Sequence, residues 1–286
     1  MSLWRSLWFL SFASLSLPFT AAYWRQSAPA TAPPPVYPVR PDPAAAQALK
    51  RAITELDSDK MPGLQTKLWQ QVCIPPLTYE ATGTFLSGTE HRLRIELEVQ
   101  SKGKRRQWRR LSDGQTLWEA ERVGEGEWSI SQLDLTRLRA TLSDVETTAA
   151  ARADSLLGQL ALGPALLLKT LRRDVTFTCQ QQIRWHNRDV LLLSGVRSSA
   201  VNQEWPAYTA RQCRLVLDAE TFWPHHIEWW GPAPSATGDI RLVQLEFRQP
   251  LLKQPIADQV FTFSPQNAPV VDCTEQWLEK LRQPSR

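Results

Sequence analysis

Apolar and polar positions alternate most regularly between His91 and Gln100, where Leu93, Ile95, Leu97 and Val99 interleave with Arg92, Arg94, Glu96 and Glu98. A period of two sends successive side chains to opposite faces of a strand, so this run predicts a strand with one buried and one wet face. Weaker runs of the same kind cover Tyr79–Leu86, Arg105–Leu111, Thr116–Val123, Val175–Ile183, Val190–Val196, Gln212–Leu217, Ile227–Trp230, Ile240–Phe247 and Val260–Phe263. Ser112-Asp113-Gly114, Asn187-Arg188-Asp189 and Thr237-Gly238-Asp239 supply turn signals between them. About ten strands joined by short turns predict an antiparallel sheet.

Elsewhere the period is helical. Asp42 as N-cap and Pro43 at the first helical position open a helix to about Asp57, with Ala45, Ala48, Leu49, Ala52, Ile53 and Leu56 on one face. Leu64, Leu68 and Val72 predict a second short helix over 64–72. Two more interrupt the sheet: Ser131–Ser143, with Leu135, Leu138 and Leu142, and the leucine-rich Ala150–Leu171, broken near Gly163-Pro164. The fold class is therefore α+β, mainly β.

Arg5 precedes an apolar stretch, Ser6 to Phe19, that ends in the small residues Thr20, Ala21 and Ala22, the pattern of an export signal cleaved after Ala22. The stretch falls short of the roughly 20 residues that cross a bilayer comfortably, and an uncleaved N-terminal anchor is the alternative. Tyr23 and Trp24 follow where a lipid-modified cysteine would stand. Prolines crowd residues 27–43, an extended tether without a core. The chain divides into a signal over 1–22, a Pro-rich linker over 23–43 and one folded domain over 44–286, in the periplasm or cell envelope.

The formal charge of +4 falls to +3 once Arg5 leaves with the signal, too mild a balance for nucleic acid. The densest basic run, Lys102 to Arg110, reads as a solvated hairpin tip at Gly103, with an anionic partner as the alternative. Cys73, Cys179, Cys213 and Cys273 contain no C-x-x-C pair, which argues against zinc and, in an oxidising compartment, for two disulfides. Cys179 and Cys213 fall two strands apart in a simple meander, roughly 9 to 10 Å, beyond disulfide reach. That favours pairing Cys73 with one of them and Cys273 with the other.

No G-x-S-x-G elbow and no phosphate-cradling glycine loop occurs, so neither a serine hydrolase nor nucleotide chemistry is indicated, and nothing implies a cofactor. His225 and His226 would point to opposite faces of a strand unless the backbone turns at Pro224, which argues against a shared metal. Glu96 and Glu98 alternate with arginines on the wet face and lack a cleft. Trp229 and Trp230 fall on opposite faces, which argues against a paired sugar platform. What remains is an apolar face overlaid by leucine-rich helices. Phe85, Leu93, Ile95, Leu97, Leu245 and Phe247 would line it and Leu156, Leu160 and Leu167 would cap it, around either a ligand cavity or an ordinary packed core.

The order of several segments carries a resemblance. Tyr79-Glu80-Ala81-Thr82-Gly83-Thr84-Phe85 follows the N-terminal helix, then Arg92-Leu93-Arg94-Ile95-Glu96 and Ser112-Asp113-Gly114-Gln115-Thr116-Leu117-Trp118. Leu217-Asp218-Ala219-Glu220-Thr221-Phe222-Trp223-Pro224, Phe261-Thr262-Phe263-Ser264-Pro265 and Val270-Val271-Asp272 come later. Over residues 45–275 this succession resembles the LolA-like outer-membrane lipoprotein carrier superfamily. The resemblance implies an unclosed antiparallel barrel with a helical lid, and a non-enzymatic carrier that shields lipid or lipoprotein acyl chains between sheet and lid. It also implies an inner-strand arginine that holds the lid. Arg92 and Arg94 stand on the corresponding strand, but their alternation with Leu93 and Ile95 points them away from the apolar face. The competing reading is an envelope module with a filled core that binds a protein partner.

Overall fold

The computed structural model of the chain describes residues 39–56, 61–74, 77–101, 103–143, 163–197, 210–232, 238–265 and 268–282. Helix α1 (Pro43–Glu55) opens the fold and is followed by a meander of six strands: β1 (Gly63–Ile74), β2 (Leu77–Gly88), β3 (Leu93–Ser101), β4 (Lys104–Ser112), β5 (Thr116–Val123) and β6 (Ser129–Asp134). Helices α2 (Leu135–Ser143) and α3 (Pro164–Asp174) come next. A second meander follows: β7 (Val175–Trp185), β8 (Arg188–Arg197), β9 (Gln212–Asp218), β10 (Pro224–Pro232) and β11 (Asp239–Leu252). A 3-10 turn (Asp258–Phe261), β12 (Val270–Asp272) and helix α4 (Thr274–Arg282) end it.

All twelve strands form one sheet in the order β12-β6-β5-β4-β3-β2-β1-β11-β10-β9-β8-β7. Its edges, β12 and β7, do not meet, so the sheet is unclosed, with two strands more than the ten predicted. Neighbours are antiparallel except β12, which runs parallel to β6.

The segment 64–72 is a strand and not a helix. Leu64, Leu68 and Val72 are four apart, a spacing that puts residues on one face of either element. The polar residues between them decide the matter: Thr66 and Gln70 are also buried, which is strict alternation. Strand β1 ladders with both β2 and β11, so polar side chains on its inner face are kept there by backbone pairing on both flanks. Similarly, 129–134 is strand, and the predicted helix starts only at Leu135. The part of the leucine-rich helix that is described, α3, lies where it was predicted.

The inner face of the sheet is covered by helices. Helix α1 packs on α3 and β7, burying Ala45, Ala48, Leu49, Ala52 and Ile53. Asp42 caps this helix, accepting from Ala44 N at 2.9 Å, and also docks it on the sheet edge: Asp42 N donates to Phe177 O at 2.9 Å and Gln180 N donates to Asp42 Oδ2 at 2.8 Å. Helices α2 and α4 close a smaller cluster of Leu117, Leu133, Leu135, Leu138 and Leu278 at the other end.

Residues 253–265 leave β11 and strap the outer face. The predicted strand 260–263 is absent; instead Phe261 plugs the strap into the sheet with 1% of its surface exposed, against Gly88. Phe263 stacks on Trp118 with centroids 5.9 Å apart. A Cβ on Gly63 would stand 1.9 Å from Gln254 O, so only glycine lets the strap start this close to β1. Truncating Phe261 to Ala should cost about 3–5 kcal/mol in urea unfolding. A loss under about 1 kcal/mol would mean that the strap is not part of the core.

Candidate functional site

The inner face is built by cross-strand rows. Phe85 stands opposite Ile95; Leu97, Gly83, Leu68 and Phe247 form the next row, and Val99, Ala81, Gln70 and Leu245 the row after it. The structure thus brings Phe85, Leu93, Ile95, Leu97, Leu245 and Phe247 together in one buried cluster, with Leu167 of α3 packed into the same cluster. Leu156 and Leu160 lie outside the described residues. Sequence reasoning missed how far the cluster extends: Phe177, Leu193, Leu215, Leu217 and Ile227 from the second meander join it, as do Val72 and Tyr79. Apart from that of Val72, which was read as helix, their runs were read as strands, but only the β1–β11 pairing puts the two meanders on one face.

The basic run 102–110 is also divided by the register. Within β4, Arg105 and Arg109 point outward and meet Glu98 at 2.6 Å and Glu96 at 3.7 Å. Arg106, Trp108 and Arg110 point inward, where Arg106 meets Glu121 at 3.0 Å and Arg110 meets Glu119 at 2.6 Å. Each of these four arginines has a glutamate partner among the described residues, so Arg105 and Arg109 present balanced charge on the outer face. Arg92 and Arg94 do not hold a lid. Arg92 pairs with Glu90 and Asp258, and Arg94 donates to Val260 O at 2.9 Å, so both clamp the outer strap. The arginines of β4 that face inward are Arg106 and Arg110, in a segment so rich in positive charge that its alternation was masked.

The four cysteines are free thiols in the structure, which corrects the two expected disulfides. Along the row Val72, Val243, Trp229, Cys213, strand β1 lies three strands from β9, so Cys73 and Cys213 are about 14 Å apart across the ladder. Burial pushes the Cys213 thiol far up, leaving it inert.

On the outer face of β10, a register shift between Pro224 and His226 lets both histidine rings approach Trp185, at 5.7 and 5.9 Å. His225 Nε2 lies 3.3 Å from Asp218, and His226 lies 3.1 Å from Glu228 and 3.5 Å from Glu246. Burial holds the His225 pKa below its usual value, against the opposing pull of Asp218. Hydrogen bonds from His226, Trp230 and Arg241 depress the Glu228 carboxyl to about 2 despite its burial. Among the described residues, no group of three His, Cys, Asp or Glu side chains is placed to hold a metal ion.

No protein-family model and no curated protein matches the chain. Its fold is similar to solved structures. LolA-superfamily proteins are among them. Lipoprotein LppX of Mycobacterium tuberculosis is 10% identical, over 76% of this chain and 98% of that one, with a TM-score of 0.41. LprF of Mycobacterium bovis is 10% identical, over 76% and 96%, with a TM-score of 0.36. A LolA superfamily protein from Nitrosomonas europaea is 14% identical, over 77% and 97%, with a TM-score of 0.26.

The depressed Glu228 pKa sets a pH dependence. A carboxyl whose folded pKa lies below its unfolded value adds stability above about pH 4.5 and loses it as the pH falls toward about 2. Glu228→Gln should therefore cost about 2 kcal/mol in urea unfolding at pH 7, with the gap to the unmodified protein narrowing steadily below about pH 4.5. A gap of constant size from pH 7 to pH 3 would show that the ion pairs do not hold this carboxylate charged.

Proposed function

We propose that the protein is an exported, non-enzymatic binding protein of the cell envelope that shields a lipid or lipoprotein acyl chain between the inner face of the sheet and its helices. The single observation that carries this reading is the helix-covered apolar face, on which Phe85, Ile95, Leu97, Leu245 and Phe247 converge in an open sheet. Each methylene withdrawn from water onto such a face contributes about 0.8 kcal/mol, so a fatty acyl chain needs no polar anchor to be held. Residues 1–22 act as the export signal and 23–43 as the tether that sets the domain away from whatever precedes it. No helix of the described residues is long and apolar enough to cross a membrane.

The low exposure of these residues, 2% for Phe85 and 7% for Leu245, favours a second reading: a filled core in an envelope module that binds protein partners. Leu245→Trp separates the two. In a carrier the added ring occupies ligand space, so lipid capture falls and the fold survives. In a filled core the same change is overpacking and costs about 1–3 kcal/mol. Native mass spectrometry of protein taken from the cell envelope, before and after organic extraction, provides the readout. An adduct of lipid mass that extraction removes, and that Leu245→Trp diminishes, is the expected result. A bare mass in both samples, with a destabilised variant, would overturn the carrier reading.

A further inference from the structure

The inner face is not apolar throughout. One row runs from Phe85 through Ile95 to Arg110, Glu119 and Ser131, turning from aromatic and aliphatic to ionic at the step between β3 and β4. That step is about 5 Å, the distance between neighbouring strands. The Arg110 side chain is 3% exposed and its guanidinium lies 5.0 Å from the Trp108 ring, whereas its partner Glu119 is 25% exposed. The second pair, Arg106 with Glu121, lies further out, with exposures of 18% and 23%.

Stability does not account for this strip. An ion pair withdrawn from water typically gains nothing over an apolar pair of similar volume, and the residues that face the strip from β3, Ile95, Leu97 and Val99, are apolar. A binding site for an amphiphile gives it a role, because such a site combines an apolar wall with a few placed polar groups.

We propose that Arg106, Arg110, Glu119 and Glu121 form the polar end of the ligand site and receive a zwitterionic glycerophospholipid head. Its phosphate sits on the arginines and its ammonium on the glutamates, while the acyl chains run along Phe85, Ile95 and Leu97. This assignment rests on the carrier reading and narrows its ligand class. Among the described residues, two arginines against two glutamates leave the strip neutral. An anionic head would face both carboxylates without a compensating charge, and an uncharged head would offer nothing in exchange for the ion pairs. A head that carries both charges supplies each side chain with a partner, with the guanidinium fork suited to phosphate.

The test uses the full chain and three lipids with the same chains: dioleoyl phosphatidylethanolamine, dioleoyl phosphatidylglycerol and dioleoylglycerol, in equal amounts in mixed vesicles. The protein is re-isolated and its extracted lipid counted by mass spectrometry. Phosphatidylethanolamine should be enriched about tenfold over each of the others, and the enrichment should fall below about threefold in Glu119→Gln and in Arg106→Gln. The more exposed Arg106 keeps the test available if Glu119→Gln does not fold. Soluble glycerophosphoethanolamine, which has the head without the chains, should not compete. Equal capture of all three lipids, or preference for phosphatidylglycerol, overturns the polar subsite and leaves the carrier reading standing. Competition by the free head also overturns it, by showing a site for a soluble phosphodiester. Capture of none removes the carrier reading, and the subsite with it.

Discussion

The pairing of β1 with β11 is the interaction on which the architecture depends. Strands β1–β6 and β7–β11 are each a meander that local turns can build, and this ladder alone joins them into one sheet. It closes between residues as distant as Leu64 and Leu252, so its entropic cost is met only when both meanders share a buried face. The shared face then explains the helices: α1 and α3 pack on each other and on β7, and Asp42 ties α1 to that outermost strand by two backbone contacts. That tie also occupies part of the open edge of β7, a row of backbone groups otherwise ready to pair with another chain.

The two faces of the sheet solve different problems. Outside, charges are balanced pair by pair, as in Arg94–Glu96, Glu98–Arg105 and Arg241–Glu228. The abundant tryptophans take part in this face. Arg109 and Arg122 lie over Trp128, Arg214 over Trp230 and Arg248 over Trp69, each within 5.3 Å of the ring centroid. Such stacking lets a large ring stay on a wet face with its surface covered by a cation. Inside, the apolar rows end at a strip of ion pairs on β4 and β5, which makes the inner face itself amphipathic.

Much of the fold could be read from local pattern. The alternation in 91–100, the Asp42–Pro43 helix start and the second meander appear as predicted, because the side-chain period and capping chemistry are properties of a few adjacent residues. The apolar candidates Phe85, Leu93, Ile95, Leu97, Leu245 and Phe247 were legible for the same reason. The errors have one origin. Spacing by four does not distinguish helix from strand at Leu64, Leu68 and Val72, and a segment of six basic residues does not reveal which of them face inward.

The sequence by itself determined the element types where the period is strict and which side of each strand is apolar. The tertiary structure decided what touches what. It made 64–72 the central strand, turned Arg92 and Arg94 to the outer strap, set Arg110 and Glu119 on the inner face and put Cys73 three strands from Cys213. Periodicity is encoded within a few residues, whereas register is a contest among distant strands that is settled only when the whole sheet buries one face.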